Sequence, residues 1–185
     1  MLFAMLSALL VLAPSAWGAS SNLLPNGSFQ SGTSGWVAAD AAFTIAPDGY
    51  DGDGAAGRLA LNTIATSYTL TTKPRPVQST TAGTVYTSDG VVRSDTPGKS
   101  VCLVVKEITS SGTVVQVQSG CATTLLQWAP FPEVTLTTQN NGDQINVTVR
   151  QTNAATGDSF EVDALSLVAD AGDTTPLRTQ SAHIS

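Results

Sequence analysis

The chain has 185 residues, a length that suits one domain with a sizeable hydrophobic core. Only 12% of its residues are charged and the net charge is −6. It therefore lacks the basic stripe that nucleic acids or anionic membrane surfaces would require, and we expect neither as a partner. The plentiful Ser, Thr, Asn, Gln and Gly give a neutral polar surface, which is common in secreted β-proteins.

Residues 1–19 are predicted to be a secretory signal peptide. The run Leu2–Ala13 is apolar, Pro14 ends it, and the small residues Gly18 and Ala19 offer a cleavage site. An apolar run of about a dozen residues is too short to span a bilayer, which needs about 20. The basic residues that usually open a signal peptide are missing, so a buried N-terminal helix or an uncleaved anchor is the alternative. The pattern predicts a secreted, extracellular protein.

Short runs of alternating or β-branched residues follow, separated by clusters of Gly, Pro, Asn and Asp. No window has a helical period, so the pattern predicts an all-β antiparallel sandwich over residues 20–168. Residues 169–185 contain few apolar side chains and are predicted to form a flexible C-terminal tail. The predicted strands are Ala42–Ile45, Arg58–Leu61, Ser67–Thr71, Val85–Arg93, Val101–Ile108, Val114–Gln118, Val134–Thr138, Gln144–Gln151 and Phe160–Val168.

The clearest hairpin joins Val101–Ile108 to Val114–Gln118. Folding about its Ser-Ser-Gly turn places Cys102 opposite Ser119, two residues from Cys121. These are the only two cysteines of the chain, and an even number in an exported protein favours a disulfide. The spacing therefore predicts a Cys102–Cys121 bond with a modest bulge.

A second hairpin is predicted at Asn141-Gly142, because this pair adopts positive φ angles at low cost. In the strand that follows, Ile145, Val147 and Val149 alternate with polar residues. One face is expected to enter the core and the other to contact solvent or a ligand. The polar face comprises Gln144, Asn146, Thr148 and Arg150.

Three motifs resemble those of family 4/9 carbohydrate-binding modules. The opening Asn22–Gln30 (NLLPNGSFQ), followed by Gly35-Trp36, resembles their N-L-(L)-x-N-G-x-F-E … G-W. Ala82–Thr87 with Val91–Ser94 resembles a middle strand G-x-x-Y-x-x-S-x-x-V-R, and Gly157–Leu167 resembles the last strand, (F/Y)-x-(V/I)-D-D-V-S-L. The order and spacing of the three motifs cover nearly the whole predicted mature chain.

The resemblance implies a galactose-binding-domain-like jelly roll that binds a poly- or oligosaccharide on a concave sheet or at its loop ends. In such a fold the strands of Tyr86 and Gln151 are expected to be neighbours on the concave sheet. Tyr86 would then offer a ring for sugar stacking, while Arg93 and Gln151 would donate hydrogen bonds to hydroxyls. Trp36 is a further aromatic candidate, and packing in the core is the alternative for Tyr86 and Trp36.

The resemblance also implies at most one structural calcium ion, bound weakly. Asp163 occupies the family's calcium position, but Gln30 stands where the family often has Glu, and Ala164 replaces a second acidic residue. The segment Asp48–Gly54 has the composition of a calcium loop without the Glu that an EF-hand requires, so a solvated turn is the alternative.

No catalytic motif is recognisable. A glycosidase needs two carboxylates close together, and the candidate carboxylates lie in no known catalytic arrangement: Glu107, Glu133, Glu161 and Asp163. Glu107 and Glu133 are expected to be ordinary residues of strand surfaces. We expect a monomeric, non-catalytic, carbohydrate-binding protein. The alternative function is a structural or adhesive β-sandwich that mediates protein contacts.

Overall fold

The computed structural model describes residues 21–170, and these form two antiparallel β-sheets packed face to face without any helix. The predicted all-β sandwich is therefore confirmed. No helix in this range is long and apolar enough to cross a membrane. The predicted signal peptide lies outside the described residues. The strands are β1 Trp36–Ala39, β2 Ala42–Ala46, β3 Ala56–Ala60, β4 Ser67–Thr72, β5 Val85–Arg93, β6 Ser100–Ile108, β7 Val114–Thr123, β8 Ala129–Pro130, β9 Val134–Thr137, β10 Gln144–Thr152 and β11 Ser159–Asp170.

All nine predicted strands are present, and β1 and β8 are the two that the sequence pattern did not predict. Both are short, at four and two residues, so neither shows a recognisable alternation. The last strand reaches Asp170, because Ala169 and Asp170 still pair with β5. The sandwich thus extends two residues into the predicted tail, whose remaining residues lie outside the described range.

Strand order separates β5 from β10. The five-stranded sheet has the order β1-β4-β10-β6-β7, and the six-stranded sheet has the order β2-β3-β11-β5-β8, with β9 also pairing with β5. The prediction that the strands of Tyr86 and Gln151 are neighbours in one sheet is therefore wrong. The hairpin predicted at Asn141-Gly142 is wrong as well, because β9 pairs with β5 in one sheet while β10 pairs with β4 and β6 in the other. Alternation identifies the buried face of a strand, but it does not say which strands share a sheet.

The core lies between the sheets and is built from the inward residues of each strand. In β10, Ile145, Val147 and Val149 are fully buried, as the alternation predicted. Tyr68 of β4 stacks on Phe160 of β11 with ring centroids 5.1 Å apart, so an aromatic pair joins the two sheets. Burying each such side chain contributes about 2–3 kcal/mol to folding.

The motif at Asn22–Trp36 fastens the N-terminal segment to the sandwich. The Asn22 amide donates to the Leu165 carbonyl at 3.0 Å, and the Leu165 N–H donates to the Gly27 carbonyl at the same distance. A Cβ at Gly27 would lie 2.0 Å from the Leu165 carbonyl oxygen, so only glycine allows this crossing. Asn26 closes the loop that follows, because its amide donates to the carbonyl of Gly32 at 2.8 Å.

The β6–β7 hairpin contains the predicted Cys102–Cys121 disulfide. Cys102 pairs directly with Cys121, not with Ser119, because the register shifts between Glu107 and Ile108 and the turn is wider than predicted. The partner of Cys102 therefore moves by two residues, one supplied by the wider turn and one by the bulge.

Candidate functional site

Trp36 and Tyr86 lie in the core, where neither ring is available to stack on a sugar. The Trp36 indole N–H donates to the Asn26 carbonyl at 3.1 Å, and its ring lies 5.7 Å from that of Phe29. Tyr86 is buried between β9 and β11, opposite Leu136 and Ala169, and burial raises the pKa of its phenol. The predicted stacking role of these two residues is therefore corrected to core packing.

Gln151 is also an interior residue, with none of its surface exposed. It accepts a hydrogen bond from the Tyr68 hydroxyl at 2.8 Å and donates one to Asp158 at 2.8 Å. Lys99 completes this network by pairing with Asp158 at 3.1 Å. A buried amide must find partners within the protein, and Gln151 finds them in the core rather than in a ligand. Its predicted role as a hydrogen-bond donor to a ligand is thus corrected as well.

Asp158 is held ionised by this network. Burial would raise the pKa of its carboxyl, but hydrogen bonds from the Ala155 N–H, Lys99 and Gln151 outweigh burial and hold that pKa below its ordinary value.

Arg93 is the one predicted binding residue that the structure places at the surface. It ends β5 on the outer face of the six-stranded sheet, where it pairs with Glu161 of β11 at 2.7 Å. Its guanidinium also donates to the Asp48 carbonyl at 3.1 Å and lies 4.6 Å from the centre of the Trp128 ring. The second distance is within the range of a cation–π contact. Arg93 therefore connects a sheet residue with two separate loops.

Tyr50 and Trp128 form the aromatic pair of this surface. Their ring centroids are 6.1 Å apart in an edge-to-face arrangement, Tyr50 is 46% exposed and Trp128 is partly exposed. Tyr50 comes from the Asp48–Gly54 loop and Trp128 from the segment between β7 and β8. We call the Tyr50, Trp128 and Arg93 surface the aromatic platform. From the sequence, the loop is predicted to be a calcium loop or a solvated turn, and Trp128 is expected in the core. The structure instead leaves Trp128 partly exposed beside Tyr50.

Asp163 holds the loop that carries Tyr50. Its carboxylate accepts the Tyr50 N–H at 2.7 Å and the Ala164 N–H at 2.6 Å. Desolvation raises the pKa of Asp163, the two hydrogen bonds act against that rise, and the charges of Asp53 and Asp51 add to it. A buried carboxylate thus ties the loop to the sheet at the point where β11 bulges.

These residues do not form a ready calcium cage. Both oxygens of Asp163 already accept backbone N–H groups, and the Gln30 amide is exposed and turned toward the Ser28 carbonyl at 3.4 Å. Residues 21–170 contain no group of three or more His, Cys, Asp or Glu side chains placed to hold a metal ion. Calcium prefers six to eight oxygens, so a site that includes Asp163 would need backbone carbonyls of the Asp48–Gly54 loop as well, and calcium binding stays a prediction.

The other candidate carboxylates have structural partners or stand alone. Glu107, expected at the strand surface, is instead fully buried and accepts the backbone N–H groups of Gln139 and Asn140 at 3.0 and 3.1 Å. Glu161 joins Arg58 and Arg93 at 2.6 and 2.7 Å.

Glu133 is exposed and, with Asp89, borders a shallow surface cavity of about 380 Å³ beside β8. Asp89 accepts a hydrogen bond from Ser166.

The fold is similar to those of several solved carbohydrate-binding structures. No protein-family model matches the sequence, and no curated protein matches it. The family 16 carbohydrate-binding module-2 has a TM-score of 0.59 at 20% identity, with 80% of this chain and 99% of that module covered. A family 61 module in complex with β-1,4-galactotriose has a TM-score of 0.55 at 22% identity, with coverage of 80% and 98%.

A longer protein also contains this fold. The enzymatically active domain of bacteriophage CBA120 tailspike protein 4 has a TM-score of 0.65 at 10% identity, and the match covers 80% of this chain but only 21% of that one. At these identities the comparisons establish the fold of a carbohydrate-binding module, a two-sheet antiparallel jelly roll. Membership of family 4/9 in particular stays a prediction.

Proposed function

We propose that this protein is a secreted, non-catalytic module that binds a poly- or oligosaccharide on the aromatic platform. The observation that carries the proposal is the pair formed by the exposed Tyr50 and the partly exposed Trp128 beside a fixed cation. Sugar rings present C–H faces that pack on aromatic side chains, and their hydroxyls pair with charged and polar groups at the rim. Arg93 supplies donors at this rim, and the exposed Asp48 carboxylate supplies acceptors.

The platform is held in place before any ligand arrives. Glu161 fixes Arg93, Arg93 packs on Trp128, and Asp163 fixes the backbone of Tyr50. A site held in this way loses little conformational entropy on binding. With only two rings we expect weak binding to a single chain, with a dissociation constant in the high micromolar to millimolar range, or about −4 to −6 kcal/mol. The galactotriose complex of the family 61 module supports a saccharide as the class of ligand.

Affinity electrophoresis against a panel of polysaccharides, chosen from a glycan array, tests the proposal. Tyr50→Ala and Trp128→Ala should each remove most of the retardation caused by the bound polysaccharide, while circular dichroism stays unchanged. Leu126→Ala is the matched control, since it removes an exposed apolar side chain that is not aromatic from the same segment as Trp128. Full retardation of both aromatic variants would contradict the proposal.

A protein-contact function is the second candidate. Leu125 and Leu126, 49% and 67% exposed, stand in the segment that carries Trp128, and Ser94 beside Arg93 donates to the Leu125 carbonyl at 2.8 Å. Exposed apolar side chains grouped in this way are typical of a contact surface. If Leu126→Ala weakened binding to a captured partner protein while polysaccharides gave no retardation, this second function would replace the first.

Export is part of the proposal and has its own test. The predicted signal peptide over residues 1–19 supports it, and the Cys102–Cys121 disulfide is compatible with an oxidising compartment. The intact mass of material collected outside cells should correspond to a chain that begins at Ala19 or Ser20 with no free thiol. A mass that includes Met1 would contradict cleavage.

A further inference from the structure

A groove lies on the outer face of the five-stranded sheet, whereas the aromatic platform lies on the outer face of the six-stranded sheet. The cavity of the groove has a volume of about 380 Å³. No aromatic side chain lines it, although aromatic rings form the platform on the other sheet. The walls and floor are formed by three hydroxyl residues, two valines and two cations: Ser67, Thr69, Thr148, Val104, Val117, Lys106 and Arg150.

The groove is a cationic surface on an acidic protein. The chain contains 14 Asp and Glu residues against 8 Lys and Arg, yet no acidic residue lines this cavity. Strand register explains this, because Glu107 of β6 points into the core while its neighbour Lys106 points outward. Within residues 21–170 neither Lys106 nor Arg150 forms an ion pair, whereas Arg58, Arg93 and Lys99 all do.

The floor of the groove is polar and ordered. The hydroxyls of Thr71 and Thr148 lie 3.2 Å apart, and the Thr148 hydroxyl donates to the Asn146 side-chain carbonyl at 3.1 Å. Thr148 lines the cavity and is buried although it belongs to the outward alternation, so it forms the base of a groove and not an open face, next to Val104 of β6. Such a floor favours a hydroxylated ligand over an apolar one.

The two cations are spaced along the groove. Lys106 stands opposite Asn146, and Arg150 is four residues further along the same strand. At a rise of about 3.3 Å per residue their backbones are about 13 Å apart. Each cation would therefore meet a separate anionic group along an extended ligand. Arg150 offers the planar donor pair that suits carboxylates and sulfates, and Lys106 acts as a point charge.

We propose that this groove binds an anionic polysaccharide through its carboxylate or sulfate groups. Without an aromatic ring, binding here depends on charge and on hydroxyl contacts. Neutral chains should therefore bind poorly and affinity should fall as salt rises. The proposal does not depend on the aromatic platform, which lies on the other sheet.

Three polymers with one backbone test the proposal on the full chain. Affinity electrophoresis in gels containing dextran, carboxymethyl-dextran or dextran sulfate should show retardation by the charged polymers only. Arg150→Gln and Lys106→Gln should each weaken retardation about tenfold, and the double variant should abolish it. Lys73→Gln is the matched control, since it removes one exposed cation that does not line the groove, and it should bind as the original chain does.

Arg150 is exposed, so Arg150→Gln tests the proposal even if the substitution at Lys106 impairs folding. Tighter binding of carboxymethyl-dextran would assign uronate-like carboxylates as the ligand groups, and tighter binding of dextran sulfate would assign sulfates. Tyr50→Ala should leave the retardation by both charged polymers unchanged, which distinguishes binding in this groove from binding on the platform.

Equal retardation by neutral dextran, or equal losses in Lys73→Gln and Arg150→Gln, would overturn the proposal. Competition by single-stranded DNA as strong as that by dextran sulfate would also overturn it, because the groove would then be a general polyanion surface.

Discussion

Glu161 is the residue on which the aromatic platform depends most, and Glu161→Gln is the sharpest test of its architecture. The side chain is only 6% exposed and meets two guanidinium groups, those of Arg58 at 2.6 Å and Arg93 at 2.7 Å. Removing its charge leaves both cations without their shared partner. Arg58 retains a second ion pair with Asp95, so Arg93 is affected most.

The magnitude follows from burial. Breaking a fully buried ion pair by neutralising one partner costs about 3–5 kcal/mol. Here the arginines keep 33% and 24% of their side-chain surface exposed, and a glutamine oxygen still accepts one hydrogen bond. Both features reduce the loss, and we expect a fall of about 2 kcal/mol in the free energy of unfolding. For a domain of this size that corresponds to a drop of about 4–8 °C in melting temperature.

Urea denaturation followed by circular dichroism measures this change, with Glu133→Gln as the matched control. Glu133 is exposed and forms no ion pair within residues 21–170, so its variant should stay within about 0.5 kcal/mol of the original chain. The Glu161 variant should also lose saccharide affinity, because Arg93 would no longer be held against Trp128. Equal stability of the two glutamine variants would refute the argument that Glu161 organises this surface.

Four further predictions concern stability. Asp158→Asn should lower the free energy of unfolding by about 2 kcal/mol at neutral pH. Because the folded-state pKa of Asp158 lies below its unfolded value, the stability difference between the two proteins should shrink as pH falls through that lower pKa. A stability difference that stays constant down to a pH of about 2 would contradict this prediction. Reduction of the Cys102–Cys121 disulfide should destabilise the protein by about 3 kcal/mol, because the unfolded chain regains the entropy of an open loop. Thermal melts with and without reductant measure this loss, and equal melting temperatures would contradict it. Tyr86→Ala should lower the free energy of unfolding by about 3–4 kcal/mol, because it leaves a cavity in the core, while the folded protein still binds saccharide. A variant of unchanged stability that no longer binds saccharide would show that Tyr86 belongs to the binding site. Calcium at about 10 mM should raise the melting temperature by less than about 2 °C over chelator, and a larger rise would show a tighter ion site than the donor set indicates.

The three family-like motifs carried information about the fold and little about the ligand. Asn22, Gly27 and Trp36 fasten the first segment to the sandwich, and Asp163 secures a loop at the bulge of β11. These roles are set by backbone crossings that any member of the fold must make. The aromatic rings of the platform belong to none of these motifs, so the resemblance could not point to them.

Local sequence determined nine of the eleven strands, the β6–β7 hairpin, the inward face of β10 and the cysteine pairing. Each depends on residues near one another in the chain, through period-two alternation, turn chemistry or a short loop. Local sequence did not determine the partner of β9, because the turn at Asn141-Gly142 joins strands of different sheets. It predicts a modest bulge in the β6–β7 hairpin but not the position of that bulge near Ile108, because nothing in the local pattern separates one register from the next.

Only the tertiary structure decided which strands share a sheet, and with that the location of every candidate site. The alternation in the strands of Tyr86 and Gln151 does not say which of the two faces is buried. Packing of the two sheets against each other buries both side chains. Tyr50 and Trp128 meet because two loops fold over the end of the six-stranded sheet, where Arg93 holds them. The cations Lys106 and Arg150 share a groove because β6 and β10 pair over their whole length. Strand pairing and loop packing depend on contacts between residues far apart in the chain, which form when the complete core is buried. No short stretch of sequence therefore determines them.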